Sequence, residues 1–176
     1  MIQKTELRRQ IREKTKKLPL SYKLKESERI GKLLIDTPEF IQAESIFIYM
    51  SSPDEPETRC IIKKALESGK QVYVPLCVSK GEMKLVKTDK NTVFRNGYMG
   101  IREPVSYKET ARDADLAIIP CLSADINGNR LGHGAGFYDR FLENSRAKKF
   151  CLCFPALISE TIPTEKHDII MDKIIY

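Results

Sequence analysis

No apolar run in this chain of 176 residues approaches the roughly 20 residues that a bilayer-spanning helix needs, which excludes a helical membrane protein. The start, Met1-Ile2-Gln3-Lys4-Thr5-Glu6, has no apolar core of the kind that drives secretion, so no signal peptide is expected. Repeats and low-complexity segments are missing too. Cysteine is present without the pattern of a zinc site: the five residues, Cys60, Cys77, Cys121, Cys151 and Cys153, contain no Cys-x-x-Cys pair and mostly sit beside apolar neighbours. They read as reduced core thiols, which fits the cytoplasm. Aromatics are nearly absent where positive charge is densest. Residues 1–32 hold 11 Lys and Arg against 4 Asp and Glu but only one aromatic residue, Tyr22. That composition speaks against nucleic-acid binding, which combines cations with stacking rings. A solvated helix face, or attraction of an anionic small molecule, remains. The hydrophobic fraction of 41% and the charged fraction of 31% are those of an ordinary globular protein, and the length suggests one domain over residues 1–176.

Periodicity supplies the elements. Leu7 and Ile11 repeat at four residues within a helix over 3–17 that Pro19 stops. A second helix is expected over 24–35, with Ile30, Leu33 and Leu34 facing inward and Pro38 beyond its end. Residues 46–50 are a short apolar strand. A proline-rich loop and a helix over 58–68 follow, with Gly69 in the position of a C′ glycine. Strands are expected at 71–75 and, with one wet face, at 82–87. Residues 88–112 read as an irregular excursion over the surface. A buried strand at 116–119, a glycine-rich loop, a helix over 138–146 and a strand at 150–154 lead to a tail with a last apolar piece. Alternating strands and helices predict an α/β fold, a three-layer sandwich with a mainly parallel central sheet and helices on both faces. Ligands in such sheets sit beyond the C-terminal ends of the strands, where the loops after Met50 and after Ile119 both lie.

The second of those loops is the most informative stretch. Residues 127–140 read Asn-Gly-Asn-Arg-Leu-Gly-His-Gly-Ala-Gly-Phe-Tyr-Asp-Arg. Gly132, Gly134 and Gly136 alternate after Arg130 and run into Phe137, Tyr138 and Asp139. Glycines allow backbone N–H groups to approach an anion closely. Arg130 adds positive charge, and Asp139 adds a hard oxygen for a divalent cation. The pattern is neither the dinucleotide fingerprint nor a Walker A loop, and by itself also describes a glycine-rich turn without a ligand.

Five motifs occur in order: Lys4-Thr5-Glu6-Leu7-Arg8; Asp54-Glu55-Pro56-Glu57-Thr58; Gly100-Ile101-Arg102-Glu103-Pro104; Arg130-Leu131-Gly132-x-Gly134-x-Gly136-Phe137-Tyr138-Asp139; and Pro163-x-Glu165-x-His167-Asp168. Together they span essentially the whole chain, and the set resembles the 5-formyltetrahydrofolate cyclo-ligase family, also called methenyltetrahydrofolate synthetases. The resemblance implies an enzyme that converts 5-formyltetrahydrofolate and ATP into 5,10-methenyltetrahydrofolate, ADP and phosphate, with Mg2+ required. It places Lys4 and Arg8 at ATP contacts, together with the loop Arg130, Leu131, Gly132, His133, Gly134, Ala135, Gly136, Phe137 and Tyr138. It places Met50, Glu55 and the loop residues His133, Gly134, Ala135, Gly136 and Phe137 at the folate, Asp139 and Asp168 at the magnesium, and Arg130 at the transferring phosphate. Read without the resemblance, Lys4 and Arg8 would be two solvated cations on one helix face, Glu55 a loop carboxylate and Met50 a core residue. His167 reads as a structural neighbour. Two positions depart from the family pattern: His133 stands where tyrosine or a basic residue is frequent, and Leu157 where glutamine is.

The expected partners are small molecules, with no membrane or nucleic acid, and the chain is expected to act as a monomer. Two rival readings stay open at this level. One is a different ATP-dependent enzyme acting on a folate or acyl amide. The other is a nucleotide- or RNA-binding module without catalysis, against which the intact Asp139, Asp168, Glu55 and Arg130 argue.

Overall fold

The computed structural model describes residues 3–79, 82–97, 101–107 and 109–176. Its centre is a sheet of seven strands. β1 (Ser45–Ile48), β2 (Gln71–Ser79), β3 (Glu82–Thr88), β6 (Thr110–Ala111), β7 (Leu116–Pro120), β10 (Lys148–Leu152) and β11 (Lys173–Ile175) lie in the order β11-β10-β7-β1-β2-β3-β6. β2 pairs with β1 in parallel, and so do β7 with β1, β10 with β7 and β11 with β10. β3 and β6 are antiparallel additions at one edge. The mainly parallel sheet of the sequence reading is therefore observed.

Both faces of the sheet are covered, which is why its central strands read as unbroken apolar runs. Ile46, Phe47 and Ile48 are all fully buried although neighbours on a strand point to opposite faces. Phe47 packs on Tyr138 and Phe141 of α5 (Phe137–Leu142), with ring centroids 6.1 and 5.3 Å apart. The remaining helices are α1 (Lys4–Lys17), α2 (Leu20–Ile35), α3 (Pro38–Gln42) and α4 (Arg59–Glu67). The expected capping at Gly69 is realised as a Schellman motif: φ is +76°, the Gly69 N–H donates to the Leu66 carbonyl and the Lys70 N–H to that of Ala65.

Four expectations need correction. α2 begins at Leu20, since Pro19 can precede a helix as readily as stop one. Its Leu33 is exposed rather than inward-facing. Pro38 does lie beyond the end of α2, as expected; it opens α3 at its first position, and the Thr37 hydroxyl accepts from the Phe40 N–H at 3.2 Å. α5 ends at Leu142, short of 146, because Asp113 captures the chain beyond it: the Ser145 hydroxyl and the Arg146 N–H donate to its carboxylate at 2.6 and 2.7 Å. The irregular stretch after β3 also does more than cross the surface. β4 (Phe94–Asn96) and β5 (Arg102–Pro104) form a ribbon, β6 joins the sheet, and Glu103 is buried. Gly100 of the third motif lies outside the described residues.

Candidate functional site

The parallel register brings the ends of β1 and β7 to one edge of the sheet, since Ile46 pairs with Leu116 and Ile48 with Ile118. Beyond β1 the chain is pinned as a loop. The Thr58 hydroxyl donates to the Tyr49 carbonyl at 2.8 Å, and the Tyr49 hydroxyl donates to the Pro56 carbonyl at 2.7 Å. Burial, with the charge of Glu55 as the next cause, pushes the Tyr49 phenol well above its usual range, so it stays a donor. Beyond β7 the chain forms a hairpin of β8 (Ser123–Ala124) and β9 (Arg130–Leu131). Asp125, fully buried, accepts from the backbone N–H groups of Asn127 and Asn129 in its turn, and also from that of Ile162. One carboxylate thus ties the hairpin to the tail that carries Pro163 to Asp168.

Between these segments lies a cavity of roughly 690 Å³. Every residue that the resemblance assigns lines it: Lys4 and Arg8, Met50 and Glu55, the run from Arg130 to Asp139, and Asp168. Met50 is both, buried among core residues and facing the cavity. Sequence reading gave no role to Tyr49, Pro75, Cys77, Met83, Ile101 and Glu103, which line it as well. Ile101 and Glu103 were visible as part of a motif; the others carried no signal beyond apolar alternation. Leu157, one of the two departures from the family pattern, is a buried residue outside this lining.

The glycine loop is held by its carbonyls. Arg8 Nε donates to the Gly132 carbonyl at 2.9 Å, Arg12 Nη2 to that of His133 at 3.2 Å and Arg140 Nη2 to that of Ala135 at 2.7 Å. A trans peptide points its N–H opposite its C=O, and no cis peptide occurs among the described residues. Clamping these three carbonyls therefore turns the N–H groups of His133, Gly134 and Gly136 the other way. Gly134 and Gly136 have φ of +108° and +67°, which side chains with a Cβ resist. The N-terminal positive charge is thus largely structural: α1 aims Lys4, Arg8 and Arg12 at the site, and Arg9 pairs with Glu6 and Glu13 on the exposed side.

Arg130, Asp139, Lys4 and Asp168 form two ion pairs. Arg130 Nη2 donates to Asp139 Oδ1 at 2.7 Å, and Lys4 Nζ donates to both oxygens of Asp168 at 2.7 and 2.5 Å. The Arg130 side chain is only 4% exposed, its guanidinium lies 5.9 Å from the Tyr138 ring centroid, and its buried Nε has no acceptor among the described residues. A buried donor without a partner is costly, and an anion in the cavity would relieve it. Asp168 also accepts from the Glu165 N–H at 2.6 Å. Burial pulls its carboxyl upward, but Lys4 and that N–H outweigh it and hold the carboxyl below the usual aspartate value. The Ile169 N–H reaches Asp139 Oδ1 at 3.4 Å, so the two aspartates, 29 residues apart in sequence, come within one short segment of each other. No cluster of three or more His, Cys, Asp or Glu suited to a metal exists among the described residues.

Glu55 Oε2 accepts from the Ser52 N–H at 2.8 Å, and Oε1 lies 3.0 Å from His133 Nε2. Cys77 also lines the cavity, and burial and then the charge of Glu103 raise its thiol above the ordinary range.

Comparison with known proteins gives a consistent result. The sequence profile of the 5-formyltetrahydrofolate cyclo-ligase family matches residues 1–176. A Caenorhabditis elegans protein named a probable 5-formyltetrahydrofolate cyclo-ligase is 33% identical over 98% of this chain and 92% of its own length. The mouse 5-formyltetrahydrofolate cyclo-ligase is 27% identical over 97% and 91%. The solved structure of Aquifex aeolicus 5,10-methenyltetrahydrofolate synthetase superposes with a TM-score of 0.87 at 27% identity, covering 99% of this chain and 89% of that one.

Proposed function

The chain belongs to the 5-formyltetrahydrofolate cyclo-ligase family, and from that premise we propose that its cavity holds 5-formyltetrahydrofolate and ATP side by side and closes the methenyl ring at the expense of the γ-phosphate. The observation that carries this reading is one cavity whose lining brings together Glu55, Met50, Lys4, Arg8, Arg130 and the glycine loop. The formyl oxygen attacks the γ-phosphorus and ADP departs. N10 then adds to the activated carbon, loses its proton, and phosphate leaves as the five-membered ring forms. No protein nucleophile is needed. The protein's work is positioning and charge neutralisation.

In this reading Glu55 accepts hydrogen bonds from the pterin N–H groups. The clamped loop offers its N–H groups to the phosphates, and Arg130 brings its unpartnered Nε and its charge to the transferring group. Asp139 and Asp168 would hold the magnesium, which would supply neutralisation of the phosphate oxygens. Lys4 and Arg130, which pair with those aspartates, offer their charge to the phosphates. We further propose a monomer working in the cytoplasm. Five unpaired cysteines, three of them buried, suit a reducing compartment, and no helix among the described residues is long and apolar enough to cross a membrane.

The test is the absorbance of the conjugated methenyl bridge, followed together with phosphate release. Signal is expected only when ATP, magnesium and 5-formyltetrahydrofolate are all present. A folded preparation that releases phosphate without the methenyl signal, or gives neither, would overturn the assignment.

A further inference from the structure

Glu55 meets the cavity with both carboxylate oxygens engaged, one by the Ser52 N–H and the other by the His133 ring, and its side chain is only 8% exposed. The two partners of that ring contact belong to segments that are clamped independently. Glu55 sits in the loop fixed by Thr58 and Tyr49, whereas the backbone of His133 is held through its carbonyl by Arg12 and flanked by the carbonyls that Arg8 and Arg140 hold. Neither clamp involves the Glu55–His133 contact, so the contact can open without dismantling either loop. His133 is 38% exposed on its glycine-flanked segment and has room to turn.

We propose that the His133–Glu55 bridge couples the two substrates, with His133 as the positioning residue that carries the coupling. The inference rests on the functional reading above, in which Glu55 serves the pterin and residues 130–138 serve the nucleotide. A pterin that donates to Oε1 of Glu55 along the direction the imidazole occupies competes with the ring N–H for that oxygen. A phosphate chain drawn to the N–H groups of His133 and Gly134 attracts the imidazole donor beside them. Either ligand therefore opens the same bridge. The first to bind does so against the bridge, and the second finds it open. A contact broken by both ligands and needed by neither makes their binding mutually favourable, and linkage requires the same factor in both directions.

The experiment is calorimetric titration of 5-formyltetrahydrofolate and of a non-hydrolysable ATP analogue with magnesium, each alone and each with the other at saturation. In the unaltered protein each ligand is expected to bind about tenfold more tightly when the other is present. His133→Ala should bind 5-formyltetrahydrofolate alone more tightly than the unaltered protein does, by about that factor, and should show a coupling factor near one. His133→Gln keeps an amide donor within reach of Glu55 and should retain part of the coupling. A merely structural His133 would predict the opposite, weaker binding of both ligands on its removal. Coupling that persists in His133→Ala, or folate binding alone that weakens there, overturns the proposal. Methenyl formation is measured on the same preparations. An unaltered protein that turns over with a coupling factor of one sinks this inference alone, whereas one that makes no methenyl product sinks the functional reading and this inference with it.

Discussion

Replacing Arg130 by methionine tests the site at its most committed residue. The side chain is almost fully buried, it pairs with Asp139 Oδ1 at 2.7 Å, and its Nε has no acceptor among the described residues. Two effects should separate. For stability, methionine fills much of the volume, but Asp139 loses its cation. Breaking a buried pair costs about 3–5 kcal/mol, yet Asp139 is 18% exposed and keeps the Ile169 N–H. The cost should therefore fall nearer that of an unsatisfied group, about 1–3 kcal/mol. For turnover, loss of a donor aimed at developing charge should lower kcat by about a hundredfold to a thousandfold. The double variant Arg130→Met with Asp139→Asn distinguishes the two. Neutralising the orphaned carboxylate should restore most of the stability and none of the turnover. Chemical denaturation and the methenyl absorbance assay supply the two numbers. Turnover within a few-fold of the unaltered enzyme would assign Arg130 to structure alone, and turnover that recovers with stability in the double variant would refute the reasoning.

Asp139→Asn and Asp168→Asn should each raise the magnesium concentration for half-maximal activity; a magnesium profile unchanged in both would remove them from the metal. The stability contributed by Asp168 has a defined pH window. Its folded carboxyl titrates below the ordinary value of 3.8, so its contribution is fully present above that value and fades as pH falls through the folded one. The melting-temperature gap between Asp168→Asn and the unaltered protein should hold steady from about pH 8 to about pH 5 and close below about pH 4, and a gap that closes near neutrality would point to another group. Gly69→Ala and Gly128→Ala should differ. Both glycines have positive φ, but a Cβ at Gly69 meets nothing, whereas one at Gly128 would lie 2.6 Å from the Met171 carbonyl oxygen. The first should cost about 1–2 kcal/mol and the second more, and equal melting temperatures would contradict the packing described.

The sheet was legible because its strands carry their burial in sequence. Leu116 to Ile119 and Ile46 to Ile48 are continuous apolar runs, as strands covered on both faces must be. Boundaries failed where a long-range partner decides them. Nothing local says that Asp113 will reach the Ser145 hydroxyl and the Arg146 N–H and end α5 early. Nor does Pro19 announce whether it closes one helix or opens the next, and here a single residue separates the roles. The ribbon of β4 and β5 escaped notice because its strands are three residues each, too short for alternation to register.

The site divides along the same line. Residue types and spacing marked the glycine loop with Arg130 and Asp139, because amide exposure and charge are local properties, whereas Lys4, Arg8, Glu55 and Asp168 stood out only through the family resemblance. Pairing is not local. Lys4 and Asp168 stand 164 residues apart and Arg8 and Gly132 stand 124 apart, and only the fold makes the first an ion pair and the second a clamp. The sequence reading therefore saw cations and carboxylates as separate ligands for phosphate and metal, while the fold pairs them with each other. That arrangement has a physical reason. Four charges facing one cavity without partners would each carry a desolvation cost, and pairing Lys4 with Asp168 and Arg130 with Asp139 removes it until ligands arrive. The Arg130 Nε is the exception, a donor left over after the pairing. It is a buried donor of the cavity lining with no acceptor among the described residues, which is why the substitution of Arg130 is the sharpest test of what the cavity is for.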